Sequence, residues 1–166
     1  MPGLTAYAAL TDVAPVRPGD VVFVSSAAGA VGSVAGQLAR NLGASRVIGS
    51  AGGRYKADKL ITMFGFDAAI DYKAGLVAKQ LAEAAPDGID GYLDAVGGEH
   101  LEAAVESLRD GGRPALVGAI GQWNTTTPEP GPSNLFQVVA KQLTLRGMLI
   151  ASFLTKLDEY IEVASG

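Results

Sequence analysis

Val21-Val22-Phe23-Val24-Ser25-Ser26-Ala27-Ala28-Gly29-Ala30-Val31-Gly32-Ser33-Val34-Ala35, residues 21–35, is the stretch on which the fold turns. Four apolar residues in a row, Val21 to Val24, lack the alternation of a half-exposed strand and read as a strand buried on both faces. From Val31 the spacing changes to threes and fours through Val34, Ala35, Leu38 and Ala39, which predicts a helix over 31–41 ended by Gly43. Between them lies Ala27-Ala28-Gly29-Ala30-Val31-Gly32, at the spacing of the dinucleotide fingerprint with Ala27 in place of its first glycine. Gly29 has no Cβ to keep a pyrophosphate off the backbone, and Gly32 lets the helix close on the strand. The helix start adds free N–H groups and the positive end of its dipole. Ala28, Gly29, Ala30, Val31 and Gly32 are therefore candidate cofactor-binding residues, with Ser25 and Ser26 as nearby hydroxyl donors. The competing reading is a tight turn of purely structural use.

Outward from this unit, short β-branched runs alternate with helical patterns, the arrangement of a parallel sheet covered on both faces. Further strands are expected at 46–50, 68–70, 89–93, 114–117 and 143–150. Helices are expected at 3–12, 54–64, 75–85, 99–108, near 135–141 and at 155–164. Six strands and five crossovers, right-handed as such crossovers are, predict an α/β fold. It is a doubly wound, parallel, six-stranded Rossmann sheet with helices on both faces and strand order 3-2-1-4-5-6. Residues 124–134, with Pro128, Pro130 and Pro132, form a Pro-rich loop.

The end of the second predicted strand selects the dinucleotide. An NAD site carries Asp or Glu there for the adenosine ribose. This chain has Ser50, in Gly49-Ser50-Ala51-Gly52-Gly53, followed by Arg54 and Lys56. A carboxylate would repel a 2′-phosphate, whereas small residues and cations accept one, so the pattern favours NADP(H). Ser50, Gly52, Arg54 and Lys56 join the candidates, Lys56 as the main phosphate ligand. For Arg54 and Lys56 the plainer alternative is a solvated charge on a helix. S-adenosylmethionine binding, which also calls for an acid at that strand end, is disfavoured.

The chain of 166 residues is 48% hydrophobic and 18% charged, which suits one globular domain. It has no cysteine, which excludes disulfides, thiolate metal sites and a cysteine nucleophile. A net charge of −4 without a basic block argues against a nucleic-acid partner. No apolar run approaches the roughly 18 residues of a membrane span, and the N-terminus does not read as a signal peptide. A cytoplasmic protein without membrane or metal partners is expected. The single histidine, His100, reads as a surface or capping residue at a helix start. Asp94, beside glycines, reads as a holder of backbone N–H groups rather than a general base. Trp123 either lines a substrate entrance or anchors its loop.

Several spaced motifs together are more specific than the fingerprint. Pro2-Gly3-Leu4-Thr5-Ala6-Tyr7, the turn 27–32, Asp71-Tyr72-Lys73, Asp94-Ala95-Val96-Gly97-Gly98 and Gly118-Ala119-Ile120 resemble the zinc-independent medium-chain dehydrogenases/reductases. Within these the similarity is to the leukotriene B4 dehydrogenase/prostaglandin reductase subgroup. The resemblance implies NADPH-dependent reduction of the C=C bond of α,β-unsaturated ketones or aldehydes. Quinone reduction on the same cofactor domain, and a non-catalytic NADP-binding module, are the alternatives. It also implies that Lys56 and Tyr72 contact the 2′-phosphate, that Val96, Gly118, Ala119 and Ile120 lie by the nicotinamide, and that Asn124 touches the cofactor. Structural roles for Tyr72 and Asn124, and a strand-end core role for Val96 and Ile120, remain open. No residue is assigned as catalytic. By the same likeness residues 1–166 are a cofactor-binding domain without its catalytic domain. The small-molecule partner is an enone or quinone, and the expected assembly is a homodimer through an edge strand at 143–150.

Overall fold

The sheet is organised around the strand that the sequence marks most clearly. The computed structural model describes residues 1–118 and 131–166. At its centre is β1 (Val21–Val24). Val22 and Val24 pack into the core on one face of the sheet and Phe23 into the core on the other, all three without solvent exposure. β2 (Arg46–Ala51) and β4 (Ile89–Asp94) pair with it in parallel on either side. Beyond β2 lies β3 (Ala68–Asp71), and beyond β4 lie β5 (Leu108–Leu116) and β6 (Arg146–Gly147). The order is β3-β2-β1-β4-β5-β6 with every pair parallel, the expected doubly wound sheet.

The crossovers bury their apolar stripes on both faces. On one side α1 (Pro2–Ala8) and the π-helical turn Ala9–Val13 pack with α2 (Ala30–Asn41) and Leu60 of α3 (Arg54–Thr62) against Val22, Val47 and Leu93. On the other, α4 (Val77–Ala84) and α5 (Gly98–Ser107) press Leu81 and Val105 onto Ile48 and Ile89, and Phe23 stacks on Tyr92 at 5.1 Å. Each such aliphatic side chain contributes about 1.5–3 kcal/mol when fully buried. After α6 (Phe136–Ala140) and β6, a 3-10 segment Ile150–Lys156 leads into α7 (Leu157–Ser165). The Tyr7 hydroxyl donates to Glu159 of α7, and the Tyr7 and Tyr160 rings lie 5.8 Å apart. No helix among the described residues is long and apolar enough to cross a membrane.

Two strands differ from expectation. The strand expected over 143–150 is ladder-paired only at Arg146 and Gly147, opposite Ala115 and Leu116. Its apolar residues serve separate ends: Leu143 packs with the α4/α5 core, Met148 with the opposite core, and Leu149 is exposed. β5 starts six residues earlier than the expected Pro114. Gly111 and Gly112 are absorbed by a register shift opposite Ile89–Gly91, and the Gly111 N–H donates to the Lys141 carbonyl at 2.7 Å.

Candidate functional site

A cleft of about 480 Å³ opens at the C-terminal ends of β1, β2 and β4. The chain leaves β1 toward β2 and later returns on the other side of β1 to make β4. Open α/β sheets hold ligands at such a reversal.

Its first wall is the turn after β1. Ser25 is buried, and its Oγ donates to the Leu93 carbonyl at 3.2 Å and accepts from the Ala95 N–H at 2.9 Å, so it ties the ends of β1 and β4 together. Ser26 takes a left-handed conformation, φ 49°, uncommon for a residue with a Cβ, and its carbonyl accepts from the Gly29 N–H at 3.0 Å. A Cβ on Gly32 would lie 2.6 Å from the Ala27 Cα and closer still to the Ser26 carbonyl oxygen, so only glycine lets α2 start this near the turn. The N–H groups of Ala30, Val31 and Gly32, in the first turn of α2, have no partner within the helix. Ala28 and Gly29 line the cleft beside them.

The second wall joins two turns. β2 closes on Ala51 and passes into Gly52, so small residues stand where an NAD site carries an acid. The Asp71 Oδ1 accepts from the Gly53 N–H at 2.9 Å and the Lys73 N–H at 3.0 Å, pinning this turn to the one after β3. Gln80 clasps the Asp71 backbone from α4, accepting from its N–H at 3.1 Å and donating to its carbonyl at 2.8 Å. Tyr72 lies over Gly52, where a Cβ would fall 2.7 Å from the phenol Cζ. Lys56, in the first turn of α3, is the only cation lining the cleft among the described residues.

The third wall is the entry to α5. Asp94 is buried, and its Oδ1 accepts from the Tyr92 hydroxyl at 2.6 Å and from the N–H groups of Val96 and Gly97 at 3.1 and 2.9 Å. Burial, and next the Asp94 charge, push the Tyr92 phenol well above its usual range, so it remains a donor. Gly97 has φ 78°, which L side chains rarely adopt, and there the chain swings into α5. Glu99 accepts from the Val77 N–H at 3.1 Å and so closes the open start of α4. His100 is 5% exposed, with Nε2 3.0 Å from the Ser50 Oγ and its ring meeting Tyr72 edge-on at 5.4 Å. Burial lowers its pKa against the opposing charges of Asp94 and Glu99, keeping the imidazole neutral at pH 7.

Of the candidates named from sequence, Ala28, Gly29, Gly52, Lys56, Tyr72 and Val96 line this one cleft, next to the amides of Ala30, Val31 and Gly32. Ser50 does not: it is fully buried behind the wall, bonded to His100. Arg54 points to solvent, 3.9 Å from Asp58. Gly118 lies apart, in a concavity of about 610 Å³ with Leu116, Met148 and Ser152 at the ends of β5 and β6. Ala119, Ile120, Trp123 and Asn124 lie outside the described residues. The expectation of a surface His100 is corrected, because the residue turns inward from the start of α5 onto Ser50 of β2. Ala51, Glu99 and His100 also line the cleft and had not been singled out as ligand residues. Among the described residues no group of three or more His, Cys, Asp or Glu side chains could hold a metal ion. Helix-start amides, one ammonium, one phenol and glycines where a Cβ would intrude form a donor set that fits a phosphorylated dinucleotide.

Residues 30–165 match the family model described as zinc-binding dehydrogenase. The NADP(+)-dependent 2-alkenal reductase of Nicotiana tabacum is 41% identical over 164 residues, which is 98% of this chain and 47% of that protein. Prostaglandin reductase 1 of Bos taurus is 45% identical over 152 residues, 90% of this chain and 45% of that protein. Among solved structures, CurA from Vibrio vulnificus in complex with NADPH superposes with a TM-score of 0.89 at 38% identity, over 99% of this chain and 49% of that one. The chain thus spans about half the length of the relatives it matches.

Proposed function

This chain belongs to the zinc-binding dehydrogenase family of medium-chain dehydrogenases/reductases, and on that premise we propose that residues 1–166 are the NADPH-binding domain of a reductase of α,β-unsaturated ketones or aldehydes. One observation carries the cofactor reading. Lys56 and Tyr72 meet in a single cleft facing the first turn of α2, and Ala51-Gly52 occupy the place of the acid that would serve NAD. The enone substrate class is supported by the 2-alkenal reductase and prostaglandin reductase 1 among the relatives.

The amides of Ala30, Val31 and Gly32 hold the pyrophosphate, with Gly29 allowing its approach and the α2 dipole adding positive potential. The Lys56 ammonium and Tyr72 hydroxyl take the 2′-phosphate. Val96, which lines the same cleft, borders the rest of the cofactor; the family resemblance would extend that border to Gly118, Ala119, Ile120 and Asn124. When bound, NADPH supplies the hydride that is delivered to the β-carbon of the enone. This chain's part is to bind and orient. Asp71 and Asp94 hold the turns that carry the ligand groups, and no side chain of this segment is assigned proton transfer. The same reading includes a dimer across β6, whose outer edge ends the sheet among the described residues; a monomer by light scattering at high concentration overturns that part.

Calorimetry with NADPH, NADH and S-adenosylmethionine tests the cofactor reading. NADPH is expected to bind ahead of NADH, with no heat from S-adenosylmethionine; equal NADPH and NADH affinities end the claim. NADPH oxidation by the intact protein with an enone tests the substrate class, and turnover of quinones alone replaces it.

A further inference from the structure

His100 has no place in the reading above, yet it is the most deeply placed titratable side chain lining the cleft. Two side chains meet it, and a glycine backs the second. Ser50, fully buried on β2, bonds its Nε2 at 3.0 Å. Tyr72, at the turn after β3, packs on the imidazole with the two rings 5.4 Å apart and nearly perpendicular, at 76°. Gly52 lies under the Tyr72 phenol so closely that no side chain fits between. Tyr72 is itself 43% exposed, so the phenol has solvent on one side, and Gly52 and the imidazole are its neighbours from the walls. An exposed tyrosine samples several rotamers unless packing removes them. The imidazole cannot swing away, because Ser50 holds it and Asp94 fixes the start of its helix through the Val96 and Gly97 amides.

We propose that His100 is a positioning residue for recognition of the 2′-phosphate: anchored by Ser50, its ring sets the Tyr72 phenol over Gly52, toward the same cleft as Lys56. The inference rests on the NADPH reading of this cleft. His100 acts through Tyr72 and touches the phosphate with no atom of its own. Its effect therefore falls on NADPH and leaves NADH, which lacks the 2′-phosphate, largely unchanged. A role in fold stability alone would weaken both cofactors together.

The test titrates NADPH and NADH fluorescence on the 166-residue chain and its variants, with Tm measured alongside. His100→Ala removes both the anchor and the ring. It is expected to weaken NADPH by roughly three- to tenfold, the range of an aromatic pair, with NADH changed less than twofold. Ser50→Ala combined with His100→Phe removes both partners of the hydrogen bond, a nearly neutral exchange, and keeps a ring edge against Tyr72; it is expected to restore the NADPH preference. In a Tyr72→Ala background, His100→Ala is expected to have no further effect on NADPH. If His100→Ala does not fold, His100→Leu fills the site without a flat edge and carries the same comparison. Equal weakening of NADPH and NADH, no weakening of either, or full additivity with Tyr72→Ala overturns the inference. Failure of the underlying reading looks different: the unsubstituted chain would not prefer NADPH, whatever stands at position 100.

Discussion

Replacing Lys56 with alanine removes the cleft's lysine ammonium and leaves the fold untouched, since the side chain lies on the exposed first turn of α3. The loss can be estimated. Two unit charges 4 Å apart attract by about 1 kcal/mol in water and about 4 kcal/mol at an effective dielectric near 20. A side chain on the rim of an open cleft lies toward the watery limit, so about 1–2.5 kcal/mol is expected, roughly five- to seventyfold in affinity for NADPH. NADH has no 2′-phosphate, and on the proposed reading both cofactors would use the same pyrophosphate seat at Ala30–Gly32, so NADH affinity should change less than twofold. The ratio of the two dissociation constants isolates the term. Fluorescence titration or calorimetry of each cofactor, at low salt and again near 0.15 M, where screening sets in over about 8 Å, gives that ratio and its salt dependence. A preference for NADPH that survives Lys56→Ala intact, or that ignores salt, would refute the argument.

Other substitutions test the walls. Gly32→Ala puts a methyl against the Ala27 and Ser26 backbone, which cannot swing aside; a loss of about 2 kcal/mol is expected, seen as a fall in Tm of roughly 4–8 °C. Gly52→Ala meets only the movable end of Tyr72, so Tm should barely change while NADPH titration shows weaker binding than NADH titration does. The Tyr7 phenol is pushed up to about 12, first by the hydrogen bond it donates to Glu159 and then by burial. Its contribution is intact below the ordinary phenol value near 10 and is lost as pH rises from there through 12, so Tyr7→Phe should flatten the alkaline fall of Tm in that window. His100 has the opposite sign. Its folded pKa is lowered, chiefly by burial, so below about 6.5 the unfolded chain takes up the proton first and stability falls with pH until the folded imidazole titrates too. The paired replacement Ser50→Ala with His100→Phe should remove that acid-side loss in pH-dependent melts.

How much of this was legible in the sequence depends on where each residue finds its partners. β1 and the start of α2 could be read directly, because a strand buried on both faces needs an unbroken apolar run and the following turn needs glycine where backbone meets backbone. Lys56 stands out because cations follow a strand end that lacks an acid, whereas Tyr72 is legible only through the family resemblance; the parallel pairing of β2 and β3 is what brings the two turns together. The edge at 143–150 differs from expectation because an apolar run does not tell which of its residues pair: Leu143 and Met148 enter opposite cores, and only Arg146 and Gly147 between them are ladder-paired with β5. The sequence pattern ends the second strand at Ser50, whereas β2 continues to Ala51, which faces the cleft while Ser50 turns inward. His100 was misjudged for a different reason. Two glycines and an acid before a histidine describe an ordinary exposed helix start, and its partner Ser50 is fifty residues away in the chain.

The carboxylates around the cleft explain how an acidic chain builds a seat for phosphate. Glu99 lines it, Asp71 and Asp94 stand behind the turns that do, and each commits an oxygen to backbone N–H groups: Val77, Gly53 and Lys73, and Val96 and Gly97. Those N–H dipoles offset part of each charge locally. The bonds also give the carboxylates mechanical work, since Asp71 joins the turns after β2 and β3 and Asp94 sets the entry of α5. Moving an acid from that supporting position to Ala51 or Gly52 would place its charge against the 2′-phosphate and leave the same turns unpinned. On the proposed reading, selectivity for the extra phosphate therefore rests as much on where the chain keeps its negative charges as on Lys56, the one lysine lining the cleft among the described residues.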